Sequence, residues 1–327
     1  MRSKLIKAGQ PGLVSIIIPC FNVEKFLAET LESALAQTYP YTEILVIDDG
    51  STDGTARLIR FYSGRINAEF GPNRGVSAAR NRGTDLARGE FIQYLDADDL
   101  LVPDAIERRV KALQENNADV AYCDWEKLVE IEPGVFEIGE RVARRMEDLD
   151  PNLEIAKLSF WAPLAALTYR RTIVERIGGW KEWLPVIQDA RFLQDAGLLG
   201  GRFAYAPGVG ARYRVRAASL SRRSVAAFVS DVFRNACDLQ RILEAKGGIN
   251  RDERRHLAYI YNYTARSLFF HDRAAFRECV ARLYDVDPTF PAKWPKIASL
   301  AANIVGYKAA GALLSLSTKL RRIIGQA

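Results

Sequence analysis

The chain has 327 residues, 48% of them hydrophobic and 26% charged, with a formal net charge of +6. That length exceeds what one compact core usually organises, so two substructures are expected, and the composition argues against wholesale disorder. The basic excess lies after residue 200 and at the extreme C-terminus; without a recognisable nucleic-acid module it points to anionic lipid or phosphorylated ligands. Cys20, Cys123, Cys237 and Cys279 are scattered without a CxxC pair, as free thiols in a reducing compartment would be. Two histidines, His256 and His271, argue against a histidine-based metal site or triad. The apolar run 13–18 stops at Pro19 and does not read as a signal peptide. No stretch reaches ~20 apolar residues without a charge, so no spanning helix is expected.

In chain order, strand and helix alternate. Residues 14–18 form a continuous β-rich run, read as a buried strand. Residues 23–37 place Val23, Phe26, Leu27, Leu31, Ala34 and Leu35 at helical spacing. A second strand is expected at 44–47, a short helix at 55–62 and a third strand at 66–70. Ser77 reads as the cap of a helix running to Ala87, with Gly89 as its stop. A fourth strand follows at 91–95. Pro103 opens the next helix, with Asp104 and Glu107 near its positive end. Residues 120–123 read as a fifth strand, and 130–140 as a hairpin around Pro133-Gly134. Thr172 and Glu175 have capping-box spacing, before a stop at Gly178-Gly179. A short helix is expected at 186–196, ending at Gly197, then short strands at 203–206 and 212–215. Helices are expected at 224–245, 251–269, 272–284 and, after a Pro-rich break, 296–325. This alternation implies an α/β fold: a mostly parallel sheet with helices on both faces and a helical C-terminal extension.

Ligands of such sheets bind at the carboxyl ends of the strands. Residues 19–22, 48–53, 71–76 and 96–99 then share one rim. Asp96, Asp98 and Asp99 follow an apolar strand, where acids are costly unless compensated. Asp96 and Asp98 point to one side of an extended chain. A carboxylate ~4 Å from a phosphate charge costs ~4 kcal/mol at an effective dielectric of 20. A diphosphate ligand would therefore need a cation, and hard oxygens suit Mg2+ or Mn2+. The alternative is that the acids cap the helix at Pro103. Asp48 and Asp49 end the second strand before Gly50. A carboxylate there can accept the imide N–H of uracil, thymine or guanine; an Asx turn is the alternative. Residues 71–81 join a loop to a helix N-terminus suited to anions, with Arg74 and Arg80 adding positive charge.

"SIIIPCFN", "ILVIDDGSTDGT", "NRGVSAARNRG" and "GEFIQYLDADD", in this order and spacing, resemble the inverting family 2 glycosyltransferases of the GT-A fold. The resemblance spans 14–125 and continues less tightly to about 222. It implies a nucleotide-diphosphate-sugar donor, usually UDP-linked, used with Mn2+ or Mg2+. By motif, Pro19 and Phe21 would line the base pocket with Asn22 beside them. Asp49 would accept the imide N–H with Asp48 in support, Asp96 would contact the ribose, and Asp98 would ligate the metal. Where the family has an acidic pair, this chain has Gln188-Asp189, which puts the catalytic base on Asp189; a helix-start acid is the plain alternative. Asp195 is a rival without a family counterpart. Where the family often has His, this chain has Arg216. Arginine cannot ligate a metal but pairs with phosphate oxygens, so Arg216, with Arg214, is expected to clamp the diphosphate. Trp183 is the candidate acceptor platform, while Trp161 and Trp180 read as core.

Residues 312–327 form a basic amphipathic pattern suited to anionic lipid or to packing on protein. The expected organisation is a catalytic domain at 1–222, a helical region at 223–285 and an amphipathic tail at 286–327. The expected protein is cytoplasmic, peripheral on the inner face of the cytoplasmic membrane, and acts on a glycan or lipid-linked acceptor in surface polysaccharide assembly. Two other functions stay open: a sugar-nucleotide nucleotidyltransferase, disfavoured because no Gly-rich basic loop follows the first strand, and a non-catalytic nucleotide-sugar binder.

Overall fold

The computed structural model describes residues 9–149, 157–216, 224–269 and 272–290. The chain divides into two compact units, Met1–Ser219 and Leu220–Ala327. The first is built on one mixed sheet. Its heart is the set β3(Asn67–Phe70), β2(Thr42–Asp48), β1(Gln10–Cys20) and β4(Gly89–Tyr94), in that spatial order and all parallel. Val14, Ile16, Ile17 and Ile18 of β1 are fully buried, as a central strand covered on both faces requires. Helices α1(Glu24–Leu35), α2(Thr55–Phe61) and α3(Val76–Leu86) make the crossovers. At Gly83 a β-carbon would come within 2.4 Å of Ile17 Cγ2, so α3 lies on β1 only because that position has no side chain.

Beyond β4 the sheet departs from the mostly parallel expectation. After the short β5(Leu100–Leu101) and α4(Ala105–Glu115), the hairpin β6(Val120–Glu132)–β7(Val135–Val142) forms as expected around Pro133-Gly134. A 3₁₀ turn, Leu164–Ala166, then leads into β8(Leu167–Arg170), which sits between β4 and β6 antiparallel to both. Helices α5(Arg171–Ile177) and α6(Gln188–Leu198) precede β9(Phe203–Val215). The two short strands expected at 203–206 and 212–215 are one continuous β9. It pairs in parallel with β6 through a register shift and bends back to β5, as a bulge permits.

Several helix boundaries differ from the sequence reading: Pro103 precedes the cap position Asp104 of α4, and Gly89 opens β4 rather than ending α3, whose C-cap is Ala87. Gly75, at φ +92°, is the residue before α3, so Ser77 lies inside the helix. Thr172 lies inside α5, whose cap position is Arg170 without a side-chain bond. Gly197 lies inside α6, which continues to Leu198. At the other end of α5, Gly178 adopts the left-handed stop expected of it.

The second unit contains α7(Val225–Ala245), α8(Arg251–Leu268) and α9(Arg273–Val286), with α8 packed on both others. Ser224 caps α7, Asn250 and Glu253 form a capping box on α8, and Asp272 caps α9. Tyr261 is buried at their centre and donates to Gln240 Oε1 at 2.7 Å. Among the described residues no helix is long and apolar enough to cross a membrane. The expected helix at 296–325 and its amphipathic face lie outside them.

Candidate active site

At the ends of β1 and β2, backbone amides hold the acids. Gly50 makes the turn at φ +78°, where a β-carbon would lie 2.7 Å from Asn73 N. Ser51 N donates to Asp48 Oδ1 at 3.2 Å. Arg74 N and Gly75 N donate to the two oxygens of Asp49 at 2.9 and 2.8 Å. Asp49 thus fastens the 71–75 loop and sets the start of α3. Each of its oxygens retains a lone pair, which a base imide would use. Asn22, at φ +52°, accepts from Thr52 N at 2.8 Å, and its own N–H reaches Ser51 Oγ at 3.0 Å. Pro19 is buried in β1 and Phe21 is 47% exposed just beyond it.

At the end of β4, arginines compensate the acids. Arg80 of α3, buried, donates to Asp96 Oδ1 at 2.6 Å. Its guanidinium lies 4.5 Å over the Trp180 ring, which stacks on Phe192 at 4.0 Å. Arg216 donates to Asp98 Oδ2 and lies 4.5 Å over Phe26. Asp99 accepts from Arg214 N at 2.8 Å. It does not cap α4, whose cap position is Asp104. Arg214 is buried, and its side chain is committed to Asp98 O at 2.7 Å and Glu29 Oε2 at 3.0 Å. The expected diphosphate clamp therefore narrows to Arg216. Burial and the charge of Asp96 raise the pKa of Asp98, against the pull of Arg216. Burial and the charges of Asp98 and Asp96 push Asp99 well up.

Asp189 lies in the first turn of α6, and Trp161 Nε1 donates to its Oδ2 at 2.9 Å. Burial raises its pKa above the usual aspartate range, while Trp161 and the Ala190 N–H oppose the shift. Tyr213 ties the site together. Its ring lies 6.0 Å from that of Trp161, which holds Asp189, and the next residue, Arg214, donates its N–H to Asp99; burial, then the charges of Asp99, Asp96, Asp189 and Asp98, push its hydroxyl up. Asp195 does not compete for the base role: Arg191 Nε binds it at 2.7 Å and Lys181 Nζ lies 3.6 Å away. Trp183 is 40% exposed, in keeping with a contact surface.

Two contributors are not evident in the sequence. Trp161 orients Asp189 rather than serving as inert core. Asn81 accepts from Trp180 N at 2.7 Å and donates to Trp180 O at 3.2 Å, fixing the ring beneath Arg80. Asn81 sits in the "NRGVSAARNRG" stretch; for Trp161 no local signal exists.

Hard oxygens at the β4 end suit Mg2+ or Mn2+ in type. They are not an open ion seat: Asp96 and Asp98 each give one oxygen to a guanidinium, while Asp99 accepts only the Arg214 backbone N–H and keeps Oδ2 buried without a hydrogen-bond partner. Among the described residues no three His, Cys, Asp or Glu side chains form a metal-holding group. Charge decides the matter further. A guanidinium ~4 Å from a dication is repelled by about 8 kcal/mol at an effective dielectric of 20, twice the unit-charge figure. Arg216 and a dication would thus compete for Asp98 Oδ2.

Residues 15–135 match the family model described as glycosyl transferase family 2. An uncharacterized glycosyltransferase of Rickettsia typhi is 40% identical over 118 residues, covering 36% of this chain and 37% of that protein. The chain thus spans little more than a third of that relative's length. TarS residues 1–349 of S. aureus, solved in complex with UDP-GlcNAc, share the fold with a TM-score of 0.63 at 18% identity, over 93% of this chain and 92% of that one. A mannosyltransferase of Pyrobaculum calidifontis, solved with GDP-Man and Mn2+, aligns with a TM-score of 0.51 at 20% identity, over 98% and 84%. The curled mixed sheet and its helices are those of the GT-A fold expected from the sequence.

Proposed function

We propose, from the premise that residues 15–135 are a family 2 glycosyltransferase domain, that this chain transfers a sugar from a nucleotide-diphosphate sugar, UDP-linked, to an acceptor hydroxyl with inversion. The observation that carries the reading is that Asp96, Asp98 and Asp99 follow β4 at the strand ends where ligands of such sheets bind, with Asp189 brought to them through Trp161, which donates to Asp189 and packs on Tyr213 beside the Asp99 contact. Asp49, Pro19 and Phe21 receive the base, and Asp96 the ribose. Arg216 faces the diphosphate. The acceptor oxygen attacks the anomeric carbon as Asp189 takes its proton, and the bond to the diphosphate breaks in the same displacement. No covalent sugar–enzyme bond forms, so the anomeric centre inverts. Trp161 fixes the Asp189 carboxylate for that transfer.

The acceptor reading is a glycan or lipid-linked hydroxyl in surface polysaccharide assembly. It is supported by the basic amphipathic pattern at 312–327 and by the exposed Trp183. The catalytic domain is then 1–222, followed by a helical region at 223–285 and a membrane-surface tail at 286–327. Deleting 286–327 should release the protein from anionic liposomes; undiminished binding contradicts the tail's role.

The deciding experiment is thermal stability with UDP, GDP, dTDP, CDP and ADP, each with and without Mn2+, followed by UDP-sugar turnover. Stabilisation by UDP, and turnover that Asp189→Asn lowers by about 10²–10⁴-fold, are expected. Gln188 in place of an acid favours one rival, a non-catalytic nucleotide-sugar binder. That rival predicts UDP binding without turnover.

A further inference from the structure

We propose that Arg216 takes the place of a divalent cation at this site: its guanidinium, anchored on Asp98, receives the donor diphosphate, and donor binding needs no metal ion. The proposal rests on the nucleotide-diphosphate reading above and concerns how that ligand's charge is met. The carboxylate that would seat an ion is already bonded to Arg216 Nη2. The neighbouring carboxylate that would complete the seat is bonded to Arg80. The arrangement is fixed from behind, because Arg214 holds the Asp98 carbonyl and Glu29 and Phe26 lies beneath the Arg216 guanidinium.

Arg216 Nε is a buried N–H without a hydrogen-bond partner, as are Arg80 Nε and Nη1. A buried donor left unpaired is unfavourable. A phosphate oxygen is the acceptor such planar groups bind best. Arg216 can therefore hold Asp98 with one N–H and offer others to a diphosphate. The repulsion that otherwise calls for a dication is cancelled by side chains of the protein itself.

The test is calorimetric titration of UDP into the full-length protein, in EDTA and in Mn2+. Wild-type affinity is expected to agree within about threefold between the two conditions. Arg216→Ala is expected to lose at least tenfold in EDTA and to regain affinity in Mn2+, since Asp98 is then free to hold the ion. Arg216→Lys keeps the charge but not the planar fork, and should fall between the two in EDTA. Wild-type UDP binding that vanishes in EDTA overturns the proposal while leaving the donor reading standing. So does an Arg216→Lys or Arg216→Ala protein that binds UDP in EDTA as tightly as wild type. Absence of UDP binding in both conditions overturns the donor reading and this proposal with it.

Discussion

Two strand ends on the rim of one mixed sheet solve the same electrostatic problem differently. At β2 the acids are compensated by backbone amides: Asp48 and Asp49 accept the N–H groups of Ser51, Arg74 and Gly75. At β4 compensation comes from guanidinium groups: Arg80 on Asp96, and Arg216, 118 residues along the chain, on Asp98. Backbone amides carry partial charge and leave a carboxylate net negative, able to accept another N–H. A guanidinium neutralises it outright. The β2 end therefore suits a neutral base, and the β4 end suits the approach of an anion.

The largest expected effect separates both binding ends from chemistry. Asp189→Asn should reduce kcat by about 10²–10⁴-fold, the span of general-base contributions, with UDP affinity unchanged. Equal loss of affinity would return Asp189 to the binding surface. Next, Arg80→Ala removes a buried guanidinium from a partly exposed Asp96 and from its seat on Trp180, and should cost about 2–3 kcal/mol in denaturant unfolding. Asp49→Asn sets an amide NH2 against a backbone N–H and should cost less, about 1–2 kcal/mol, while weakening UDP binding. If the two substitutions destabilise equally, the contrast between the ends fails.

That contrast also marks what was legible in the sequence. The strands, the crossover helices and the rim follow from apolar runs and the carboxyl-end rule, and so does the local turn at Asp48, whereas the reach of Asp49 to the 74–75 amides does not. The arginine pairing did not follow. The sequence places Arg80, Arg214 and Arg216 among the nucleotide-sugar-binding residues without pairing them to acids, because which acid Arg214 or Arg216 meets depends on β9 returning to β5 beside the site, and which acid Arg80 meets depends on how α3 packs. Nor did the antiparallel entry of β8, whose four residues carry no periodicity distinct from a loop. Ser77 and Thr172 have capping chemistry but lie inside their helices, since Gly75 and Arg170 already occupy the turning positions.

The smallest effect concerns pH. Asp189 acts ionised and its pKa is raised, so activity should fall with acidification above the ordinary aspartate range. Trp161→Phe removes a hydrogen bond that lowers that pKa. The acidic limb of kcat/KM should therefore move to higher pH. An unmoved limb would leave Trp161 a packing residue.

The central claim is that the strand-end rim is a nucleotide-diphosphate site, and a crystal structure with UDP tests it most directly. The account places uracil against Pro19 and Phe21 with its imide N–H on Asp49, and the diphosphate against Arg216. UDP bound with its diphosphate away from Arg216, or its base away from Asp49, would contradict it.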